Sequence, residues 1–137
     1  MTEFPAVHHV VLTVMNLEIS RDWYRRLLDT EPVLDEDAPA LPEHHQGYHH
    51  TVFAVSGGPL LGLHAHAGDR DDRFDELRSG LDHVSFGCAD RTEIEKWQSR
   101  LDELGIKHGG IAEDPIGFGL SFRDPDNTAP EFWAPRA

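Results

Sequence analysis

Two segments of the chain carry the same arrangement of residues, and this repeat constrains the fold more than any other feature. The first begins at His9 in the run His-Val-Val-Leu-Thr-Val, and the second begins at His83 in the run His-Val-Ser-Phe-Gly-Cys. Trp97 follows Trp23 by the same 74 positions that separate the two histidines. A chain of this kind is expected to fold as two equivalent modules. We therefore expect a ligand site to which both modules contribute a histidine.

Each histidine is predicted to open a β-strand, since apolar and polar residues alternate after it. In residues 8–14 the apolar stripe is Val10, Leu12 and Val14, with His9 on the opposite face. Residues 83–88 repeat this alternation, and the face that carries His83 is small and polar. Such a face suits the lining of a cavity.

Helical periodicity follows each strand. The first helix is predicted over residues 17–28, and the residues expected on its buried side are Ile19, Trp23 and Leu27. The second is predicted to start at a capping box formed by Asp90 and Glu93 and to stop at Gly105. Its apolar stripe consists of Ile94, Trp97, Leu101 and Leu104.

Short β-type runs complete both modules. They cover residues 31–34, 48–55, 60–66, 107–111 and 118–122, with a closing strand after Pro130. The expected fold class is α+β: two β-α-β-β-β modules, about residues 5–67 and 80–135, form one domain with a cupped, barrel-like mixed sheet and helices outside. Four histidines near Gly47 are expected to be solvated loop residues, namely His44, His45, His49 and His50.

Charge and composition restrict the classes of partner that the chain is expected to bind. The formal net charge is −13, which disfavours nucleic acid and anionic membranes because both attract clustered Lys and Arg. The acidity suits a soluble surface, or attraction of a cationic ligand. Cys88 has no second cysteine to pair with, and neither a leader peptide nor a membrane-spanning run is evident. We expect a cytoplasmic protein.

Strand parity brings further ligand candidates to the histidine face. In residues 60–66 the apolar set leaves Gly62, His64 and His66 on one side, and in the closing strand Glu131 and Trp133 oppose Phe132. The residues expected to converge are His9, His64 or His66, His83 and Glu131. Imidazoles with one carboxylate suit Zn, Fe, Ni, Co or Mn better than Ca or Mg. Such an ion acts as a Lewis acid on a bound water or substrate oxygen.

Three parts of the sequence resemble the vicinal oxygen chelate superfamily. They are the run from His9 to Leu17 with Trp23-Tyr24, the run Gly80-Leu-Asp-His-Val-Ser-Phe86, and the run Phe122-Arg-Asp-Pro-Asp-Asn127 before Glu131-Phe132. That group includes glyoxalase I, fosfomycin- and bleomycin-resistance proteins and extradiol dioxygenases. The resemblance covers nearly the whole chain and implies metal ligands at His9, His83 and Glu131. An acidic residue usual in strand four is replaced by Gly62, and His64 on the same face is the candidate substitute.

The resemblance implies a metal-dependent glyoxalase-like enzyme of lyase or isomerase type, whose substrate is a small molecule that chelates the ion through adjacent oxygens. Glu131 is the candidate base, and a homodimer is expected. Candidate substrate-binding residues are Tyr48, Phe118, Ser121, Arg123 and Trp133, although Arg123 could instead pair with a surface carboxylate. Two alternatives are a metal-free protein that sequesters a cationic drug, and an Fe(II) dioxygenase using two histidines and one carboxylate.

Overall fold

The computed structural model describes residues 2–38, 47–68 and 71–136, which belong to two compact units, Met1–Asp71 and Asp72–Ala137. The first unit contains β1 (His9–Thr13), α1 (Leu17–Leu28), β2 (Leu34–Ala38), β3 (Tyr48–Phe53) and β4 (Leu60–His66). The second contains β5 (Val84–Gly87), α2 (Arg91–Glu103), β6 (His108–Glu113), β7 (Gly117–Phe122) and β8 (Pro130–Pro135). Both units follow the order β-α-β-β-β, which confirms the predicted α+β class and the repeated module.

Each unit has one open four-stranded sheet, and the two sheets share the same strand order. The order is β1-β4-β3-β2 in the first unit and β5-β8-β7-β6 in the second. The first and last strands of each unit pair in parallel, whereas the other neighbours are antiparallel. His9 opens β1 as predicted, while His83 lies one residue before β5. The sequence repeat is therefore also a repeat of topology.

Helix α1 has the predicted bounds but a different buried face. Asn16 caps it, because its Oδ1 accepts a hydrogen bond from the backbone N–H of Ile19 at 3.1 Å. The buried side chains of the helix are Ser20, Tyr24 and Leu27. Ile19 is 56% exposed, so its predicted burial is wrong. Periodicity alone does not choose between the adjacent rings of Trp23 and Tyr24, and packing against the sheet buries Tyr24 completely.

Helix α2 starts as its capping signal predicts. Asp90 Oδ1 accepts a hydrogen bond from the backbone N–H of Glu93 at 2.9 Å. The Glu93 carboxylate reaches back to the backbone N–H of Ala89 at 2.6 Å, one residue beyond its usual partner in a capping box. Ile94 and Leu101 are fully buried, which confirms that part of the apolar stripe.

Two expectations about the first unit are wrong. The second strand begins at Leu34, where the predicted strand ends, and its acidic residues pair with β3 in the register Leu34↔Val52 to Ala38↔Tyr48. An edge strand tolerates such polar residues because one side meets water, so alternation gives little signal there. His49 and His50 lie within β3 rather than in a loop. His44 and His45, the other two predicted loop histidines, lie outside the described residues.

The sheet of each unit has a face on the helix side, which holds the core, and a helix-distal face. In the first unit the helix side buries Leu12, Phe53, Leu61 and Leu63, and in the second it buries Leu120, Phe122 and Phe132. Trp97 of α2 stacks on Phe132 with ring centroids 4.4 Å apart. These residues confirm the predicted alternation, which leaves the histidine and carboxylate positions on the helix-distal face. Among the described residues, no helix has the length and apolarity to cross a bilayer.

Candidate functional site

The Glu131 carboxylate lies at the centre of the helix-distal face of the second unit. Strand β8 is flanked by β5 and β7, and the register places Ser85 and Ser121 directly beside Glu131 on either side. Ser85 Oγ donates a hydrogen bond to Glu131 Oε1 at 2.5 Å, and Ser121 Oγ donates to Oε2 at 3.4 Å. The Glu131 side chain is only 20% exposed. Two hydroxyl groups therefore hold a largely shielded carboxylate from opposite neighbouring strands.

His83 stands next to this carboxylate. Its Nε2 is 3.8 Å from Glu131 Oε1, and its Nδ1 is 2.7 Å from Oδ1 of Asp82, the preceding residue. The imidazole is 47% exposed, so water and small solutes reach it. The predicted proximity of His83 and Glu131 is therefore present within the second unit.

His9 occupies the corresponding position in the first unit. It opens β1 and is exposed, and its Nδ1 lies 2.8 Å from Nδ1 of His8. Sequence pattern does not single out His8 or Asp82, although both directly precede a repeated histidine. That adjacency is the signal that could have identified them.

The position equivalent to Glu131 in the first unit is Gly62. Glu131 is paired with Ser85 of β5, and the residue 74 positions before Ser85 is Val11, which is paired with Gly62 of β4. A side chain at Gly62 would place its Cβ 3.2 Å from Val11 Cγ2, which is tighter than ordinary contact. At this position the first unit thus has glycine where the second unit has a carboxylate.

Imidazoles and one phenol stand beside Gly62 on the same face. Tyr48 stacks on His64 with centroids 4.4 Å apart, His50 lies 5.8 Å from His64, and His66 lies 6.0 Å from His64. His50 Nε2 is 3.4 Å from Glu36 Oε1 but has no partner with hydrogen-bond geometry. We regard the contact as a weak polar one, because direction determines hydrogen-bond strength. The structure therefore adds His50 to the predicted residues of this face.

Three of the remaining predicted substrate residues lie on β7 and β8. Ser121 and Trp133 share the helix-distal face with Glu131. Phe118 has the parity of the buried Leu120, which places it on the helix side, and the guanidinium groups of Arg91 and Arg136 lie 5.3 and 5.5 Å from its ring centroid. Phe118 is therefore on the opposite side of the sheet from the carboxylate.

Arg123 forms a two-pronged ion pair with Glu76, with Nη2 to Oε1 at 2.8 Å and Nη1 to Oε2 at 3.1 Å. It also donates to the backbone carbonyl of Asn127 at 3.0 Å. Hydrogen bonding from the Arg123 guanidinium lowers the pKa of Glu76 to about 2. The alternative interpretation of Arg123, pairing with a surface carboxylate, is the one that the structure contains.

The donors of each unit make at most part of a metal coordination shell. Within either unit, the described residues include no cluster of three or more His, Cys, Asp or Glu side chains able to hold one. His83 and Glu131 nevertheless present a nitrogen and an oxygen donor within 3.8 Å on one face. Imidazole with carboxylate fits a divalent transition metal, for which two protein donors make part of a coordination shell.

Solved structures share this fold. A glyoxylase/bleomycin resistance protein/dioxygenase domain from Frankia sp. EAN1pec is 34% identical, with 98% of this chain and 94% of that chain covered and a TM-score of 0.84. The fosfomycin resistance protein FosX from Listeria monocytogenes, solved with Mn(II), is 16% identical over 97% and 93%, with a TM-score of 0.65. Lactoylglutathione lyase from Agrobacterium tumefaciens is 20% identical over 97% and 96%, with a TM-score of 0.63.

Among curated proteins, none is similar enough to this sequence to count as a match. The family model of the Glyoxalase/Bleomycin resistance protein/Dioxygenase superfamily, in contrast, matches residues 6–132. That match runs from before β1 into β8, ending at Phe132, and includes the two repeated histidines and the carboxylate. The chain belongs to the Glyoxalase/Bleomycin resistance protein/Dioxygenase superfamily.

Proposed function

We propose that this protein is a metal-dependent, glyoxalase-like enzyme of lyase or isomerase type that acts on a small molecule with two adjacent oxygens. The observation that supports this most directly is the His83–Glu131 pair, an imidazole nitrogen 3.8 Å from a carboxylate oxygen on the helix-distal face. The hydroxyl groups of Ser85 and Ser121 hold the carboxylate there, so its position is set before a ligand binds. Preorganised donors of this kind are what a metal site requires.

The proposed ligands are His83 and Glu131 from the second unit and His9 and His64 from the first. His9 is the repeat counterpart of His83, and His64 is the nearest donor along β4 to Gly62, where a carboxylate is missing. The two sets would be completed within one chain or in a homodimer. A transition metal such as Zn, Ni, Fe, Mn or Co suits this mixed nitrogen and oxygen set, and the superfamily member FosX binds Mn(II).

A bound divalent ion would supply Lewis acidity, which stabilises negative charge that develops on the two substrate oxygens. Glu131 is the proposed base. Its Oε1 already accepts the closer hydrogen bond, from Ser85, whereas Oε2 accepts the longer one, from Ser121 at 3.4 Å. Oε2 therefore keeps more capacity to accept a proton from the substrate. The indole of Trp133, on the same face, would contact the apolar part of the substrate.

Two observations favour a second candidate, a metal-free protein that sequesters a cationic molecule. Gly62 removes one carboxylate from the expected ligand set, and Ser85 already uses one oxygen of Glu131. A net charge of −13 would assist capture of a cation. In this case the Glu131 carboxylate and the aromatic ring of Trp133 would bind the ligand directly.

Metal analysis separates these candidates. The purified chain is stripped with chelator, dialysed separately against Zn, Ni, Mn and anaerobic Fe(II), and analysed by mass spectrometry for bound metal. We expect stoichiometric uptake of at least one ion, lost in His83→Ala and Glu131→Gln. His108→Ala is the matched control, since His108 also has a carboxylate partner, Asp102 at 2.7 Å, but is no proposed ligand.

If none of the four ions binds stoichiometrically, the enzyme proposal is refuted and sequestration is favoured. Uptake of Fe(II) followed by oxygen consumption with a catechol would replace the lyase or isomerase assignment with a dioxygenase. Substrates with adjacent oxygens are then screened only with the loaded protein, and Glu131→Gln serves as the inactive reference.

A further inference from the structure

Both repeated histidines have the same kind of local partner. Asp82 directly precedes His83 and lies 2.7 Å from its Nδ1, and His8 directly precedes His9 and lies 2.8 Å from its Nδ1. His8 and Asp82 are themselves separated by the 74 positions of the repeat. In each unit, therefore, the residue before the histidine engages the same ring nitrogen.

We propose that Asp82 is a positioning residue that holds neutral His83 with its proton on Nδ1 and its lone pair on Nε2. An ionised carboxylate has only acceptors, so the hydrogen bond requires His83 Nδ1 to donate. A neutral imidazole carries one proton, and Nε2 must then be the unprotonated nitrogen. The metal-related part of this inference rests on the proposed function, whereas the tautomer itself does not.

The surroundings of Nε2 agree with this assignment. The nearest carboxylate oxygen, Glu131 Oε1, lies at 3.8 Å, which is too far for a hydrogen bond from an N–H group. Glu131 Oε1 accepts its hydrogen bond from Ser85 instead. In this tautomer Nε2 and Oε1 are both hydrogen-bond acceptors, 3.8 Å apart, and such a pair favours a cation or a proton donor between them.

The first unit differs in a consequential way. Imidazole can both donate and accept, so the contact between His8 and His9 is satisfied by either ring carrying the shared proton. His8 therefore does not set the tautomer of His9, whereas Asp82 sets that of His83. We infer that the second unit is the preorganised half of the proposed site.

The Asp82–His83 contact is expected to contribute little to the stability of the folded chain. Their side chains are 70% and 47% exposed, and exposed pairs of this kind contribute little to folding. Orientation of the ring and choice of tautomer remain as its physical effects. In metal sites, loss of such a partner weakens metal binding about 10- to 100-fold, and the exposure here favours the lower end, about tenfold.

The test uses the full chain labelled with ¹⁵N on histidine, under conditions in which the spectra show the neutral ring. Long-range ¹H–¹⁵N spectra of the metal-free protein report which nitrogen of each ring is protonated. We expect His83 to be protonated at Nδ1 in the wild type and in Asp82→Asn, which keeps an acceptor oxygen. In Asp82→Ala we expect a mixture of tautomers with unchanged thermal stability.

Metal titration by calorimetry provides the second readout. We expect the dissociation constant to rise about tenfold in Asp82→Ala, but not in Asp102→Ala, which removes the equivalent partner of His108. Wild-type His83 protonated at Nε2, or an Asp82→Ala spectrum identical to the wild type, would overturn the inference. If the wild type binds no metal, the proposed function fails, and the tautomer spectra alone decide the role of Asp82.

Discussion

Replacement of Gly117 by alanine should be among the most damaging single changes in the second unit. A Cβ at this position would lie 2.3 Å from the backbone oxygen of Ala134 and 2.6 Å from Trp133 Cζ2. Contacts of Cβ below 3.0 Å essentially do not occur, so β8 would have to move by about 0.7 Å. A backbone carbonyl cannot avoid the clash by changing rotamer, and the hydrogen bonds between β7 and β8 would lengthen.

The magnitude follows from these terms. Overpacking of this kind costs about 1–3 kcal/mol, and each lost strand hydrogen bond costs about 1 kcal/mol more. Alanine also reduces the entropy of the unfolded chain, which offsets about 0.5 kcal/mol. We expect a net loss near 3 kcal/mol in the free energy of unfolding, or about 12 °C in Tm for a chain of this length.

Gly87→Ala and Gly119→Ala are matched controls in the same sheet. A Cβ at Gly87 meets nothing within 4 Å, and one at Gly119 meets Glu131 Oε2 at an ordinary 3.4 Å. Thermal unfolding followed by circular dichroism should show no loss for Gly87→Ala and little for Gly119→Ala. If the Tm of Gly117→Ala lies within about 2 °C of the Tm of Gly87→Ala, the close approach of the two strands is refuted.

Two further predictions concern ion pairs. A hydrogen bond to Asp35 raises the pKa of His49. Burial by itself would raise the pKa of Asp35, but hydrogen bonds from His49, Thr51 and Arg21 outweigh burial, so the pKa of Asp35 is lowered. The stabilisation from His49 is therefore complete below pH about 6.5 and lost as pH rises through its raised pKa. The unfolding free energy of wild type minus His49→Gln, from urea titrations, should fall with rising pH, and a constant difference would contradict this. Arg123→Gln should return the pKa of Glu76 from about 2 toward its ordinary range, as measured by NMR titration, without changing KM; a raised KM would instead make Arg123 a substrate contact.

The sequence predicted the elements of both units well where local signals agree. The helix bounds followed from helical periodicity, with the capping signal at Asp90 for α2, and β4 followed from alternation. The second strand was misplaced because its acidic residues lie at a sheet edge, where no apolar alternation is required. Burial of Tyr24 rather than Ile19 depends on which side of α1 meets the sheet, and that contact joins residues distant in sequence.

The candidate site divides in the same way. Repetition and parity identified His83 and Glu131 as donors of one face, and their 3.8 Å separation agrees with that prediction. Alternation along residues 118–122 already separates Phe118 from Ser121 by sheet face, whereas no local signal pairs Arg123 with Glu76 across 47 positions. Strand register decides which side chains become neighbours, and register is fixed by pairing between strands.

Sequence by itself determined that this chain has two equivalent modules, that each module places a histidine before or at the start of its first strand, and that a carboxylate occurs near the end of the second. These features follow from local spacing and alternation, which reside in the order of residues. The tertiary structure decided which hydroxyl groups hold Glu131, that Gly62 occupies its counterpart position, and that Asp82 faces Nδ1 of His83. Those relations depend on distances between strands and on side-chain direction, which only the folded chain defines.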